Sequence, residues 1–359
     1  MSPEVPIQGG RPSVQALNSA PVIADSSLQT IAQHIEAWTK MGTLETQRVG
    51  GMAFSPDGRL LASNCLDDGS IRIWDLATGR AILTIKTLNR NEFFVAFSPS
   101  GRLLASTLYY PHASGPVTLW DVATGAIVKM LEVPGRADAT CVVFSPDGRL
   151  VAATRRAKNY TGSQGSILWD VATGAVVKTL DGDSSSLAFS PDGRLLALGG
   201  PDGSVVLWDV ATGAMVKTFT EHSARALPEI IRTAFSPDGQ LISAAWTDRT
   251  IRFWDTVTRA RVKKIRLERD EISMRGPKLV SSHQRSRDLK LSPDGHLLAL
   301  AERSRPVRLY STVTGTVVET LDLRSNGRTV AFSPDGRLLA TGSSGGLTMV
   351  WGAAPKTAS

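Results

Sequence analysis

Short apolar runs recur along the chain, and each is followed by the same punctuation. A run closing on Phe, such as "GGMAF" up to Phe54, leads into Ser-Pro-Asp-Gly. Pro pre-sets φ at the second turn position, Asp bonds its own backbone, and Gly takes the position with φ > 0. A strand-like "RLLAS" comes next, then a second turn, often Asp-Gly as at Asp68-Gly69 and Asp202-Gly203. An alternating stretch then ends in Trp-Asp, as in "SIRIWD" up to Asp75. A third turn, "LATG" or "VATG", opens a last stretch such as "AVVKTL" at Ala175–Leu180. The period is two rather than 3.6, so each unit predicts four short antiparallel strands and no helix.

The Pro of this phrase stands at Pro56, Pro99, Pro146, Pro191, Pro237, Pro293 and Pro334, in steps of 43, 47, 45, 46, 56 and 41 residues. A period in the forties is the mark of a repeat architecture. The apolar residues that close and follow the turn are the expected core. Truncating Phe189 or Phe332 is expected to cost roughly 3–5 kcal/mol if they are buried as the pattern implies.

At this point the residues resemble the WD-repeat β-propellers, whose blades are four-stranded sheets around a central channel. The matching pairs are Trp74-Asp75, Trp120-Asp121, Trp169-Asp170, Trp208-Asp209 and Trp254-Asp255, with Tyr310-Ser311 and Trp351-Gly352 at the sixth and seventh places. The resemblance spans about residues 39–352. It implies an all-β, seven-bladed propeller acting as a protein-interaction scaffold or adaptor. The close similarity of the repeats also suggests recent duplication and a bacterial-type source. The family often carries a Gly-His whose His bonds a turn Asp, a second-strand Ser or Thr, and the Trp. Here Gly-His occurs once, at Gly295-His296, in a different turn. The turn Asp stands at Asp68, Asp202 and Asp248, with Ser114, Ser163, Ser304 and Gly345 in its place elsewhere. The family's buried polar network is therefore expected to be incomplete in every blade.

The last repeat supplies three strands and then "GAAPKTAS". An open ring would leave an unpaired sheet edge. "WTKMGTLE", Trp38–Glu45, has the spacing of an outer strand and is expected to complete the last blade. Leu28, Ile31, Ala32 and Ile35 fall at helical spacing, which makes 26–37 a candidate short helix, and residues 1–25 and 353–359 read as tails around a propeller of 26–352.

Composition narrows the classes. Hydrophobic residues make up 42% of 359, and no apolar run reaches the ~18 residues of a membrane helix. No basic start precedes an apolar h-region, so a cytoplasmic protein, monomeric on its own, is expected. Cys65 and Cys141 lie in different repeats and suggest neither a disulfide framework nor a zinc site. The net charge of +7 raises the question of nucleic acid. The excess lies largely in the fourth strands, at Lys86, Lys129, Lys178, Lys217, Lys263 and Lys264. Lys there guards a sheet edge, so neither nucleic acid nor membrane is the expected partner.

The Ser-Pro-Asp-Gly and Ala-Thr-Gly turns share one face, and the second turns and inter-blade links share the other. The second face varies, which is where recognition concentrates. Its candidates are Tyr109, Tyr110 and His112 in "TLYYPHASGP", Arg155, Arg156 and Tyr160 in "TRRAKNYTGSQG", Arg285 and Arg287 in the longest link, and Trp246, expected to project from a second turn. Tyr, Trp and Arg are favoured interface anchors. Catalytic signals are weak. Gly342–Gly346 fits G-x-S-x-G but falls in a strand-to-strand turn rather than a strand-to-helix elbow. The five histidines are scattered, and no pair has metal-ligand spacing. No catalytic, metal or cofactor site is expected. Two alternatives stand beside the scaffold: a propeller enzyme of lyase or lactonase type with His, Glu or Asp converging on the channel mouth, and a structural subunit of a larger assembly.

Overall fold

The computed structural model describes residues 35–46, 48–87, 92–108, 115–134, 137–156, 163–182, 184–220, 230–246, 248, 250–267, 286–302, 306–323, 327–343 and 345–355. Blade one comprises β2 (Val49–Phe54), β3 (Leu60–Cys65), β4 (Ser70–Asp75) and β5 (Arg80–Lys86), while β1 (Ile35–Glu45) belongs to the last blade. Blade two is β6 (Glu92–Phe97), β7 (Leu103–Leu108), β8 (Val117–Asp121) and β9 (Ile127–Leu131). Blade three is β10 (Asp138–Phe144), β11 (Leu150–Arg156), β12 (Ser163–Asp170) and β13 (Val176–Leu180). Blade four is β14 (Ser186–Phe189), β15 (Leu195–Gly199), β16 (Val205–Asp209) and β17 (Met215–Phe219). Blade five is β18 (Ile230–Phe235), β19 (Leu241–Trp246), β20 (Thr250–Asp255) and β21 (Arg261–Arg266). Blade six is β22 (Ser286–Leu291), β23 (Leu297–Glu302), β24 (Val307–Ser311) and β25 (Val317–Leu321). Blade seven orders as β26 (Gly327–Phe332), β27 (Leu338–Ser343), β28 (Leu347–Pro355) and then β1. The chain is thus all-β, a seven-bladed propeller whose inner strands β2, β6, β10, β14, β18, β22 and β26 touch in a closed ring.

The ring closes as expected. β1 pairs antiparallel with β28, Thr39 opposite Gly352 and Glu45 opposite Leu347. Trp38 is buried in the core of this blade, edge-on to Phe332 at 6.1 Å. The closing strand is longer than expected: residues 35–37 extend it and are not helical. β28 also runs to Pro355, past the expected tail boundary. Residues 1–34 lie outside the described residues.

One register holds throughout. The Trp or Tyr of each third strand stands opposite the second apolar residue after the turn: Leu61 and Trp74, Val151 and Trp169, Leu298 and Tyr310. Trp169 and Tyr310 are fully buried. The Ser-Pro-Asp-Gly turn is braced by its serine, which the sequence reading left without a role. In blade one Leu60 N–H donates to Ser55 Oγ at 2.8 Å, Ser55 Oγ donates to Asp57 Oδ1, and Gly58 N–H closes the turn on Ser55 O at 2.9 Å with φ of 70°. The Asp of each Trp-Asp accepts from the Thr of the next turn, as Asp75 Oδ1 does from Thr78 N and Oγ1, both at 2.7 Å. The repeat phrase is scaffolding whose polar groups are consumed locally.

The Phe of the phrase is less buried than expected. Phe54 is in the core at 8% exposure, but Phe189 and Phe332 are only partly buried. The figure of roughly 3–5 kcal/mol for a fully buried Phe therefore overstates their truncation. The polar network is partial, as the resemblance implied. Trp74, Trp120 and Trp351 donate their indole N–H to Ser63, Ser106 and Thr341 at 2.8–2.9 Å. Blade four has Leu198 at that position, and Trp208 Nε1 is buried without a partner among the described residues. Asp68, Asp202 and Asp248 accept from the hydroxyls of Ser70, Ser204 and Thr250 instead of a histidine. Ser163 does not sit in a turn: it opens β12, opposite Arg156.

Candidate functional site at the central channel

The inner strands enclose a cavity of about 670 Å3. Most of one layer that breaks the repeat lies on its wall. Three residues before the phrase's Phe, the seven blades carry Gly51, Phe94, Cys141, Ser186, Arg232, Asp288 and Thr329 (in blade six Leu291 stands in for Phe). No two blades carry the same residue here except in having a hydroxyl twice. A backbone feature marks the layer too. The pairing of first and second strands shifts register between Glu92 and Phe94, Ile230 and Arg232, Ser286 and Asp288, and Gly327 and Thr329. Such bulges re-aim the side chain that follows them. Blade four, with Ser186, pairs without one.

The bulges release N–H groups, and side chains take them up. Asn64 Oδ1 accepts from Gly50 N and Gly51 N in blade one. Ser186 Oγ accepts from Thr233 N of the next blade at 2.9 Å. Asp288 accepts from Thr329 Oγ1 at 2.8 Å and Val330 N at 3.1 Å, and from Arg232 Nη2 at 3.2 Å. Asp288 therefore ties blades five, six and seven together. Arg232 also reaches across the ring, its Cζ lying 5.3 Å from the Phe94 ring centroid, within cation–π range. Burial alone would lower the Arg232 pKa. The Asp288 carboxylate, with Cys141 nearby, outweighs burial and holds the guanidinium above its ordinary value. The charged side chains on the cavity wall are Arg232, Lys290 and Arg328, with the carboxylate of Asp288.

The link-face candidates are only partly placed. Arg155 lies in β11, partly buried. Arg156 and Arg287 are placed by backbone alone, in β11 and β22. Tyr109, Tyr110, His112, Tyr160 and Arg285 lie outside the described residues. Trp246 is a correction: it does not project. It is 2% exposed, packed on Trp254 at 5.5 Å, with Arg252 Cζ 4.3 Å over its ring. It ends β19 opposite Ile230. An exposed pair on this face joins Arg48 Nε to Asp67 Oδ1 at 2.6 Å.

The convergence that an enzyme reading needs does not form among the described residues: the cavity wall has one carboxylate and no histidine, and no group of three potential metal ligands occurs there. Gly342–Gly346 spans the β27–β28 connection, strand to strand. Cys65 and Cys141 are buried. No helix among the described residues is long and apolar enough to cross a membrane.

Residues 38–75, 213–255 and 316–352 match the family described as WD domain, G-beta repeat, and residues 163–233 match the Anaphase-promoting complex subunit 4 WD40 domain. No curated protein matches the chain. The matched segments fall on described blades, and the closed ring of four-stranded sheets makes this chain a seven-bladed β-propeller with segments similar to WD40 repeats.

Proposed function

We propose that the protein is an interaction scaffold or adaptor that acts in the cytoplasm and binds a protein partner on the face of second turns and inter-blade links. WD40 domains generally act this way, usually without catalysis. The observation that carries the choice of face is the contrast between the two. On the turn face, Ser, Asp and backbone groups repeat one internal hydrogen-bond pattern in blade after blade. Groups already spent on one another offer little to a partner. The link face holds the insertions and the unrepeated Tyr and Arg residues, the types that dominate interface energetics. The proposed contact residues are Tyr109, Tyr110, His112, Arg155, Arg156, Tyr160, Arg285 and Arg287; Trp246, being buried, is not among them. The bacterial-type source rests on repeat similarity alone.

The test is affinity capture from the native host, repeated with purified candidates. Tyr109→Ala/Tyr110→Ala and Arg285→Ala/Arg287→Ala should each lose a partner by at least tenfold in affinity, about 1.4 kcal/mol. Arg102→Ala/Arg149→Ala, exposed on the turn face, should not. Loss from the turn-face variant alone would reverse the assignment of faces.

A further inference from the structure

The channel carries an inference separate from partner binding on the link face. Position by position, the residue just before the phrase's Phe is Ala53, Ala96, Val143, Ala188, Ala234 and Ala331 in six blades, and Lys290 in the remaining one. Lys290 lines the cavity, is partly buried, and has no ion-pair partner among the described residues. The nearby carboxylate is not available to it. Asp288 already accepts from Arg232, Thr329 and the Val330 backbone. A cation drawn out of water without a counter-charge is costly, and a repeat that writes a small apolar residue elsewhere has an easy way to avoid that cost.

The same cavity wall also carries aromatic side chains. Phe189 and Phe235, from the two preceding blades, both border the cavity and are both only partly buried. Of the wall's other cations, Arg232 is paired with Asp288, and the charge of Arg328 reaches Asp67. A volume of about 670 Å3 is within the usual range for small-molecule sites.

We propose that the channel is a binding site for a small organic anion, a carboxylate on a flat apolar body. Lys290 receives the carboxylate, and Phe189 and Phe235 take the ring system. The Arg232–Asp288 pair is the fixed floor of the site rather than its ligand-binding group, because its charges are already matched. Failure of this proposal leaves the link-face reading untouched, since no Tyr or Arg assigned to the partner surface lines the cavity.

The experiment titrates the full chain with 2-naphthoate and with its uncharged analogue 2-naphthalenemethanol, by calorimetry at low and high salt. Naphthoate should bind at one site per chain, and the alcohol should bind about tenfold or more weakly. Lys290→Ala restores the residue of the sister blades, so it should fold with an unchanged melting temperature. It should bind naphthoate no better than the alcohol, and Lys290→Met should do the same. Lys86→Ala, an outer-strand control, should bind like the parent protein. The proposal fails if naphthoate does not saturate one site, if the two probes bind equally, or if Lys290→Ala binds naphthoate as tightly as the parent.

Discussion

The two ends of each inner strand obey opposite rules. At the turn end, Ser, Asp and Gly recur, and their hydrogen bonds stay within five residues of one another. Three residues earlier, the same strands carry a glycine, an aromatic, a thiol, hydroxyls, a cation and an anion, and their bonds run between blades. The turn end makes blades. The channel layer makes this ring: its contacts pair particular blades, so they can form only when seven non-identical units close in the right order. Repeats this similar are otherwise open to slipped or swapped pairing, and a polar contact that suits one neighbour is a device against it.

The largest expected effect tests that contrast directly. Asp288→Ala leaves the Arg232 guanidinium buried without its partner, and orphans Thr329 Oγ1 and Val330 N–H. Breaking one side of a buried ion pair costs about 3–5 kcal/mol. Asp147→Ala removes an acceptor for Ser145 Oγ and Arg149 N–H in an exposed turn, and water replaces it, so the cost should be about 0.5–1.5 kcal/mol. Urea unfolding of the two variants measures both. Equal losses would abolish the distinction between local turn and ring-wide layer.

Much of this was legible in the sequence, and the failures share a cause. Strand count, turn chemistry and the closing strand follow from period, Gly and Pro, and edge pairing, all of which are local or topological. The indole acceptors could also be read: Ser63, Ser106 and Thr341 bond their Trp, whereas Leu198 cannot. Trp246 was misread because a large aromatic beside a turn looks exposed until the facing strand is known. Here Trp254 and Arg252 enclose it. The channel layer was missed altogether. Its signal was present as an inner-strand position that differs in nearly every blade, but a repeated motif does not point to what is not repeated. The bulges that aim these side chains leave no such mark, since the register shifts between Ile230 and Arg232 and between Gly327 and Thr329 follow no shared residue.

A second test uses acid to address the turn end alone. The Ser55, Ser145, Ser190 and Ser236 hydroxyls, then the backbone N–H two residues on, hold Asp57, Asp147, Asp192 and Asp238 below the ordinary value of 3.8. A folded-state pKa below the unfolded one means that the unfolded chain binds more protons there. The stabilisation is complete above the unfolded value and is lost as pH falls through the lowered folded values. The urea midpoint should therefore hold between about pH 7 and 5 and then drop below about pH 4. Converting the four serines to Ala brings these folded pKa values back toward 3.8 and should flatten the drop, although the chain starts less stable. These carboxylates are largely exposed, so solvent screening keeps each contribution small. An unchanged acid slope in the quadruple variant would move the acid sensitivity away from the turns.

The smallest effect sharpens the comparison by repairing a lapse in the repeated pattern. The third turn ends in Gly79, Gly125, Gly174, Gly213 and Gly315 in five blades, each with φ between 68° and 78°. Blade five has Arg259 there, at φ of 61°. A side chain in the left-handed region costs roughly 1–2 kcal/mol. Replacement by Gly relieves that strain but adds freedom to the unfolded chain, which returns part of the gain. Arg259 also donates a long bond, 3.5 Å, to Val216 O of the neighbouring blade, and exposed contacts of that length are weak. Arg259→Gly should therefore stabilise the protein by up to about 1 kcal/mol, read as a rise in the urea midpoint with an unchanged slope. Converting Thr329 or Ser186 of the channel layer to the residue of a neighbouring blade should destabilise instead. Opposite signs are what separates a position where the repeat is the optimum from one where departure from it holds the ring together. A gain in stability on making the channel layer more uniform would show that the layer is not what fixes the order of the blades.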